Sequence, residues 1–261
     1  MIGGKCLNEQ TNNIVVPAWE FIWMLDYDHK ALLFSFNLQV DRTSSITMRF
    51  PTLKVTYFDM AGRAEMARLA LVIGDVPFED ERLAREDWMA LKPTVPFKQL
   101  PLLTVDGQVL TQSSAISRYA AILGGVYPTT NPLDACRVDE IVAYREDVFM
   151  TLLPTLFEQD ANKKKAMREE QAATKLPEMF CLLEARLGVT SSGPWFLDSI
   201  SQADLAVYTM VGVFKSGLLD GIPLDICDKY NKIMAIFNAV HTHPKVAAWN
   251  DAHIKAADRK R

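Results

Sequence analysis

Apolar and polar residues change their period several times along the chain, and each change marks an element. Leu53-Lys54-Val55-Thr56-Tyr57 is a short, mostly apolar run that reads as a strand, with Phe58 directly behind it. From Gly62 to Gly74 the period becomes helical. Met66, Leu69, Ala70 and Ile73 fall at i, i+3, i+4 and i+7, and Gly74 stands where a C-terminal glycine commonly stops a helix. Residues 77–83 read as a second strand, and a looser stretch runs on through Trp88 and Lys92. Residues 102–105 and 109–110 read as a hairpin across Asp106-Gly107, a strong turn dipeptide. A helix from Gln112 to about Leu123 closes this part of the chain.

Gly124-Gly125-Val126-Tyr127-Pro128 and Asn131-Pro132 then read as a linker. Beyond it only helical patterns remain, at 134–159, 163–187, 201–216 and 224–241. The third begins Ser201-Gln202-Ala203-Asp204, a capping-box spacing, and its apolar content marks it as the buried centre of a bundle. The order β-α-β, then irregular chain, then β-β-α predicts an α/β domain of thioredoxin-like outline followed by an all-helical domain. A pairing through a helix is expected to be parallel and the hairpin antiparallel. The expected division is an extension over 1–47, an α/β domain over 48–124, a linker over 125–133 and a helical domain over 134–261.

Composition narrows the class. At 261 residues the chain can bury about 70–75% of its unfolded surface, enough for one or two ordinary cores. A net charge of -4 argues against nucleic-acid binding. The basic runs Lys163-Lys164-Lys165 and Arg259-Lys260-Arg261 read as a solvated helix face and a frayed tail. Cys6, Cys136, Cys181 and Cys227 include no C-x-x-C pair, which excludes a dithiol redox motif and fits a reducing, cytoplasmic compartment. Neither they nor the four histidines show metal-ligand spacing, so no metal is expected. Charged residues interrupt the apolar stretches of 1–47 before they reach the ~18 residues of a membrane span, and the segment is expected to be a poorly ordered extension.

The chemistry begins at the end of the first strand. A strand that ends in a phenol and turns over a glycine into a helix can hold the Tyr57 hydroxyl in a cleft. There it can donate to an anion resting near the helix start. Gln112 and Ser113 open another helix, where backbone N–H groups and the dipole attract a carboxylate. Each feature also has an ordinary structural explanation: a half-buried aromatic, a strand-opening proline at Pro101, a helix cap.

Taken together and in order, Val55-Thr56-Tyr57-Phe58, Gly62-Arg63-Ala64-Glu65, Asp87-Trp88, Val105-Asp106-Gly107, Gln112-Ser113 and Arg137-Val138-Asp139-Glu140-Ile141 resemble the cytosolic glutathione transferases, most closely the sigma class. The resemblance covers about residues 53–250. It implies a homodimer that conjugates reduced glutathione to apolar electrophiles, with glutathione as co-substrate and no other cofactor, membrane or nucleic-acid partner. Tyr57 is implied as the donor to the sulfur and Arg63 as a source of positive potential beside it. Leu100-Pro101 is implied to be a cis peptide, turning the Leu100 backbone toward the cysteinyl residue, with Gln99 beside it. Gln112 and Ser113 are implied to hold the γ-glutamyl end, Trp88 and Lys92 the glycyl carboxylate. Asp147, one residue beyond Glu146, is implied to reach across a dimer interface to the γ-glutamyl ammonium. Met60, Val148 and Leu152 are expected to wall the electrophile pocket.

Ala61, Lys98 and Ala143 depart from the sigma pattern, Ala143 at a position that is acidic in the prostaglandin isomerases of the class, and favour general conjugation over isomerisation. A non-catalytic structural relative is the alternative from another class. Thiol-disulfide exchange lacks a cysteine near Tyr57.

Overall fold

The first strand is buried on both faces, and that fixes the sheet around it. In the structure, a computed structural model describing residues 50–189, 191 and 193–258, β1 (Leu53–Phe58) buries Val55, Thr56 and Tyr57 in succession. Such a strand belongs in the middle of a sheet covered on both sides. It pairs in parallel with β2 (Glu79–Leu83) and antiparallel with β3 (Leu102–Val105), and β3 continues to the edge strand β4 (Gln108–Leu110), giving the order β2-β1-β3-β4. This is the mixed sheet of the expected thioredoxin-like α/β fold. The polar edge strand β2 is bound to β1 by side chains. The Thr56 hydroxyl donates to Glu81 Oε2 at 2.6 Å and Lys54 Nζ reaches Oε1 at 3.1 Å, which together hold the Glu81 carboxyl below its ordinary value.

The helix after β1 enters through a 3-10 turn, Gly62–Ala64, and continues as α1 (Glu65–Ile73). Its predicted stripe is buried at Met66, Leu69 and Ala70, but so are Ala67 and Leu71, because α1 is covered by neighbours on more than one side. Gly74 requires a correction. Its φ is -80°, so no left-handed cap demands glycine there. The demand comes from close approach to α3 (Ser113–Leu123): a Cβ on Gly74 would lie 2.3 Å from Gly124 Cα, and one on Gly124 would lie 2.1 Å from the Ala70 carbonyl oxygen. Both obstacles are backbone and cannot rotate away. Gly124→Ala is therefore expected to destabilise the protein by about 2 kcal/mol, as overpacking does. Denaturant unfolding measures it, and a loss under about 0.5 kcal/mol would show that α1 and α3 separate freely.

The loose stretch around Trp88 is in fact a short helix, α2 (Arg85–Leu91). It buries Trp88 alone, and one buried position sets no period that a sequence could display. In the helical part, α4 (Pro132–Phe157) starts at Pro132 behind an Asn131 cap that accepts from the Leu133 and Asp134 N–H groups. The expected helix over 163–187 is two, α5 (Ala161–Ala173) and α6 (Lys175–Leu187), broken at Thr174. Pro177 explains the break: it has no N–H to continue a helix and is tolerated within a first turn. Then follow α7 (Gln202–Lys215), α8 (Asn231–His241), which begins seven residues later than its pattern suggested, and α9 (Pro244–Asp258), which lay outside the predicted elements.

Helix α7 is the buried centre, packing on α4, α8 and α1. Its Gln202 bridges to the α/β part through Nε2 to Ser117 Oγ at 2.8 Å and through its N–H to the Val126 carbonyl at 2.8 Å. From Pro51 onward the chain forms one compact unit, with the expected α/β and helical parts packed on each other. The expected extension over 1–47 lies outside the described residues.

Candidate active site

Tyr57 ends the central strand and the chain must reverse within a few residues to start α1. It does so with a turn closed by the Met60 N–H on the Phe58 carbonyl at 2.7 Å. Gly62 lies at φ +49°, a conformation costly for other residues, and directly over it lies the Tyr57 ring. A Cβ on Gly62 would fall 2.7 Å from Tyr57 Cε1 and 2.8 Å from its hydroxyl. The glycine thus creates the space the phenol occupies. Among the described residues the Tyr57 hydroxyl makes no hydrogen bond, although the residue is only 8% exposed.

Beneath this turn sits Arg68, fully buried on α1. Its Nη1 donates to the carbonyls of Met60 at 2.8 Å and Ala61 at 3.4 Å, its Nε to Asp80 at 2.8 Å, and its guanidinium carbon lies 5.9 Å from the Tyr57 ring centroid. Asp80 in turn accepts from Arg82, which also reaches Asp59. A charge network therefore fixes the loop carrying Met60 and Ala61. Sequence reasoning missed Arg68; the available signal was an arginine three residues after Glu65 inside an otherwise apolar helical run.

Arg63 leaves the same turn and spans two other elements. Its Nη1 reaches Ser113 Oγ at 3.4 Å and Glu146 Oε2 at 2.7 Å. Ser113 is the first residue of α3 and Gln112 its N-cap, with φ +71° and no side-chain cap bond. The first-turn N–H groups of α3 are thus left for another acceptor, next to a guanidinium, in the arrangement that binds anions. A strained N-cap at such a place is the kind of outlier functional sites retain.

Phe58, Trp88 and Lys92 form the other side. The Phe58 ring packs against Tyr57 at 5.5 Å and against the Trp88 edge at 6.3 Å. An open cavity of about 430 Å³ is lined by Phe58, Arg85, Trp88, Met89 and Lys92. Here too the sequence reading was incomplete, since Phe58, Arg85 and Met89 were not singled out as lining residues. The Leu100–Pro101 peptide is cis; Gln99 is exposed, Leu100 half-buried and Pro101 buried.

Helix α4 brings its own residues. Arg145 is 4% exposed, donates from Nη1 to Glu146 Oε1 at 2.6 Å and lies over the Phe149 ring at 4.6 Å. Burial pushes its guanidinium down to about 10, with Glu146 and Tyr57 acting against that and Arg63 adding to it. Asp147, about 200° round the helix from Arg145, is exposed and makes no ion pair among the described residues. Its charge acts on Tyr144, whose phenol is raised chiefly by burial and secondarily by Asp147. It is not gathered with Tyr57, Arg63 and Ser113 in its own chain. The expected pocket wall also needs correction. Val148 is 0% and Leu152 3% exposed, because both lie on the face of α4 that packs into the helical core, whereas Met60 is open at 45%.

Comparison with known proteins follows the same division. Residues 53–121 match the model of the glutathione S-transferase N-terminal domain and residues 146–253 that of its C-terminal domain. The chain is 35% identical over 208 residues to hematopoietic prostaglandin D synthase of Gallus gallus, covering 79% of this chain and 99% of that one. It is 39% identical over 175 residues to glutathione S-transferase 1 of Ascaris suum, covering 65% and 84%. The crystal structure of the glutathione S-transferase from Ascaris lumbricoides superimposes with a TM-score of 0.64 at 32% identity, covering 78% of this chain and 98% of that one. The chain belongs to the glutathione S-transferase family, and glutathione transfer is the activity that membership supports. No helix among the described residues is long and apolar enough to cross a membrane.

Proposed function

We propose that the chain conjugates reduced glutathione to small apolar electrophiles, in a detoxifying role, through a thiolate held by the Tyr57 hydroxyl. The observation that carries this reading is the nearly buried phenol, without a protein partner among the described residues, set over Gly62. A cysteine-type thiol with a pKa near ~8.5 is only a few per cent ionised at neutral pH. A neutral hydroxyl donating to sulfur favours the anion, and a phenol keeps its proton at that pH. The thiolate then attacks the electrophilic carbon, the S–C bond forms, and the leaving group departs with its electron pair.

The rest of the tripeptide is distributed by charge. The γ-glutamyl carboxylate goes to the uncapped start of α3 at Gln112 and Ser113, beside Arg63. The glycyl carboxylate goes to Lys92 with Trp88, and the cysteinyl backbone to Leu100, flanked by Gln99 and Pro101. The electrophile lies over Met60 and the Phe58 side of the cavity. Glutathione is the co-substrate; no further cofactor enters, and a reducing cytoplasm suits both the free thiols and the substrate.

Retention on immobilised glutathione together with turnover of a chlorinated nitroaromatic tests the reading. A chain that is retained but turns nothing over is a binding relative. The likeness to hematopoietic prostaglandin D synthases favours one second reading, glutathione-dependent isomerisation, checked by adding an endoperoxide to the same assay.

Assembly is part of the proposal. With Asp147 exposed and outside its own site, a homodimer gives it a role across the interface, on the γ-glutamyl ammonium of the other subunit. Asp147→Ala is expected to raise the glutathione dissociation constant about tenfold, in line with the ~1.5–3 kcal/mol of a charge-assisted bond. Calorimetry on the gel-filtered dimer measures it. A monomeric wild type, like the monomeric glutathione S-transferase of the hookworm Necator americanus, would end the argument for a crossing acid.

A further inference from the structure

Arg145 is the buried charge of the site that the conjugation chemistry above leaves unused. Two charged groups meet at one carboxylate: Glu146 Oε1 accepts from Arg145 at 2.6 Å and Glu146 Oε2 from Arg63 at 2.7 Å, so two guanidinium groups share a single anion. The cluster keeps a net positive charge. It lies where β1, the Gly62 turn and α4 meet, with the Tyr57 phenol close enough to act on Arg145 electrostatically. Arg145 also holds its Nε buried without a hydrogen-bond partner among the described residues. A guanidinium removed from water, only partly bonded and only half neutralised, is costly to keep. An apolar residue would fill the space over Phe149 without that cost, so a structural role alone explains the residue poorly.

We propose that Arg145 is a positioning residue for the glutathione thiolate: through Glu146 it fixes Arg63 beside Ser113, and its own buried charge raises the positive potential at the Tyr57 hydroxyl. The proposal rests on the assignment of Tyr57 as the donor to sulfur. An anion arriving at the phenol meets the surplus charge at low dielectric, where screening is weak. No proton moves to or from Arg145. The charged groups facing it are Glu146 on its own helix and Arg63 from the turn, and the titratable one is the Tyr57 phenol from β1, with Arg68 behind the Tyr57 ring. The pairing of Glu146 with both arginines makes the prediction signed. Removing a cation should hinder ionisation of the thiol, and neutralising the anion between the cations should favour it, provided the side chain keeps an oxygen to accept from Arg63, as glutamine does. A contact that merely held α4 in place would give two losses of the same kind.

The test is ultraviolet titration of glutathione thiolate in the binary complex, with no turnover needed, on wild type, Arg145→Met, Arg145→Lys and Glu146→Gln, alongside thermal melts. Arg145→Met is expected to raise the apparent pKa of the bound thiol by about one unit, about tenfold less thiolate on the acid side. Arg145→Lys should return about half of that shift or more, and Glu146→Gln should move the thiol downward. A lowered thiol in wild type that is unchanged in Arg145→Met, or an upward shift in Glu146→Gln, overturns the proposal while leaving the conjugation reading intact. A wild type that takes up no glutathione overturns both. If Arg145→Met does not fold, the sign of the Glu146→Gln shift decides by itself.

Discussion

Tyr57→Phe is expected to lower turnover about tenfold or more while leaving glutathione affinity nearly unchanged. The substitution removes one hydroxyl and keeps the ring that packs on Phe58 and covers Gly62, so the turn and its Arg68 support stay in place. Only the donor to sulfur is lost. Each unit by which the bound thiol's pKa rises corresponds to ~1.4 kcal/mol and a tenfold smaller thiolate fraction on the acid side. The pH dependence of kcat/KM should therefore move to higher pH, with the deficit shrinking as the medium itself ionises the thiol. Arg63 and Arg145 still surround the position, so a measurable residual rate is expected. Steady-state kinetics across pH, with calorimetric affinities beside them, are the measurement. Equal rates and an unmoved profile would remove Tyr57 from the chemistry.

What could be read from the sequence follows from how many residues share each signal. The parallel β1–β2 pairing, the β3–β4 hairpin and most of the helical half were recoverable from local pattern and turn residues. The β1–β3 pairing that sets the sheet order joins strands about fifty residues apart and was not legible. Nor were the two arginines beneath and beside Tyr57. Arg68 and Arg145 are single polar positions within apolar helical stripes, and a lone arginine reads as surface unless the partners that bury it are known. Asp80 is twelve residues from Arg68, and the Arg63 that completes the Glu146 cluster lies 83 residues from it. The α2 helix failed for a related reason, having one buried side chain and so no period. Gly74 was placed correctly at a helix end for a reason that proved different, because a close approach to Gly124 depends on a second helix that local pattern does not contain. Val148 and Leu152 show the same limit from the other side. Apolar residues on a helix beside a site are expected to line it, but which face of α4 turns to the core was decided by α7.

The largest expected effect on stability lies away from the chemistry, at Asp204→Ala. The spacing Ser201-Gln202-Ala203-Asp204 announces a cap, and the structure makes Asp204 more than that. Its Oδ2 accepts from the Ser201 N–H and hydroxyl, both at 2.7 Å, and its Oδ1 from the Phe196 N–H at 2.7 Å, all fully buried. One carboxylate therefore joins the segment carrying Phe196 to the start of the helix on which α4, α8 and α1 pack. Burial outweighs these bonds and holds the carboxyl above its ordinary value. Truncation strands two buried backbone donors, each costing ~1–3 kcal/mol, and leaves a void at the helix start. The expected loss is at least ~3 kcal/mol, a fall in Tm of about 6–12 °C for a domain of this size. Asp204→Asn should recover part of it, since one amide oxygen still accepts while the amide nitrogen faces a donor. At temperatures where the variant remains folded, glutathione affinity should match wild type, because no bond from Asp204 reaches Tyr57, Arg63 or Ser113. A loss below ~1 kcal/mol in denaturant unfolding would mean that water replaces the carboxylate at these donors, and that α7 is held by its apolar packing alone.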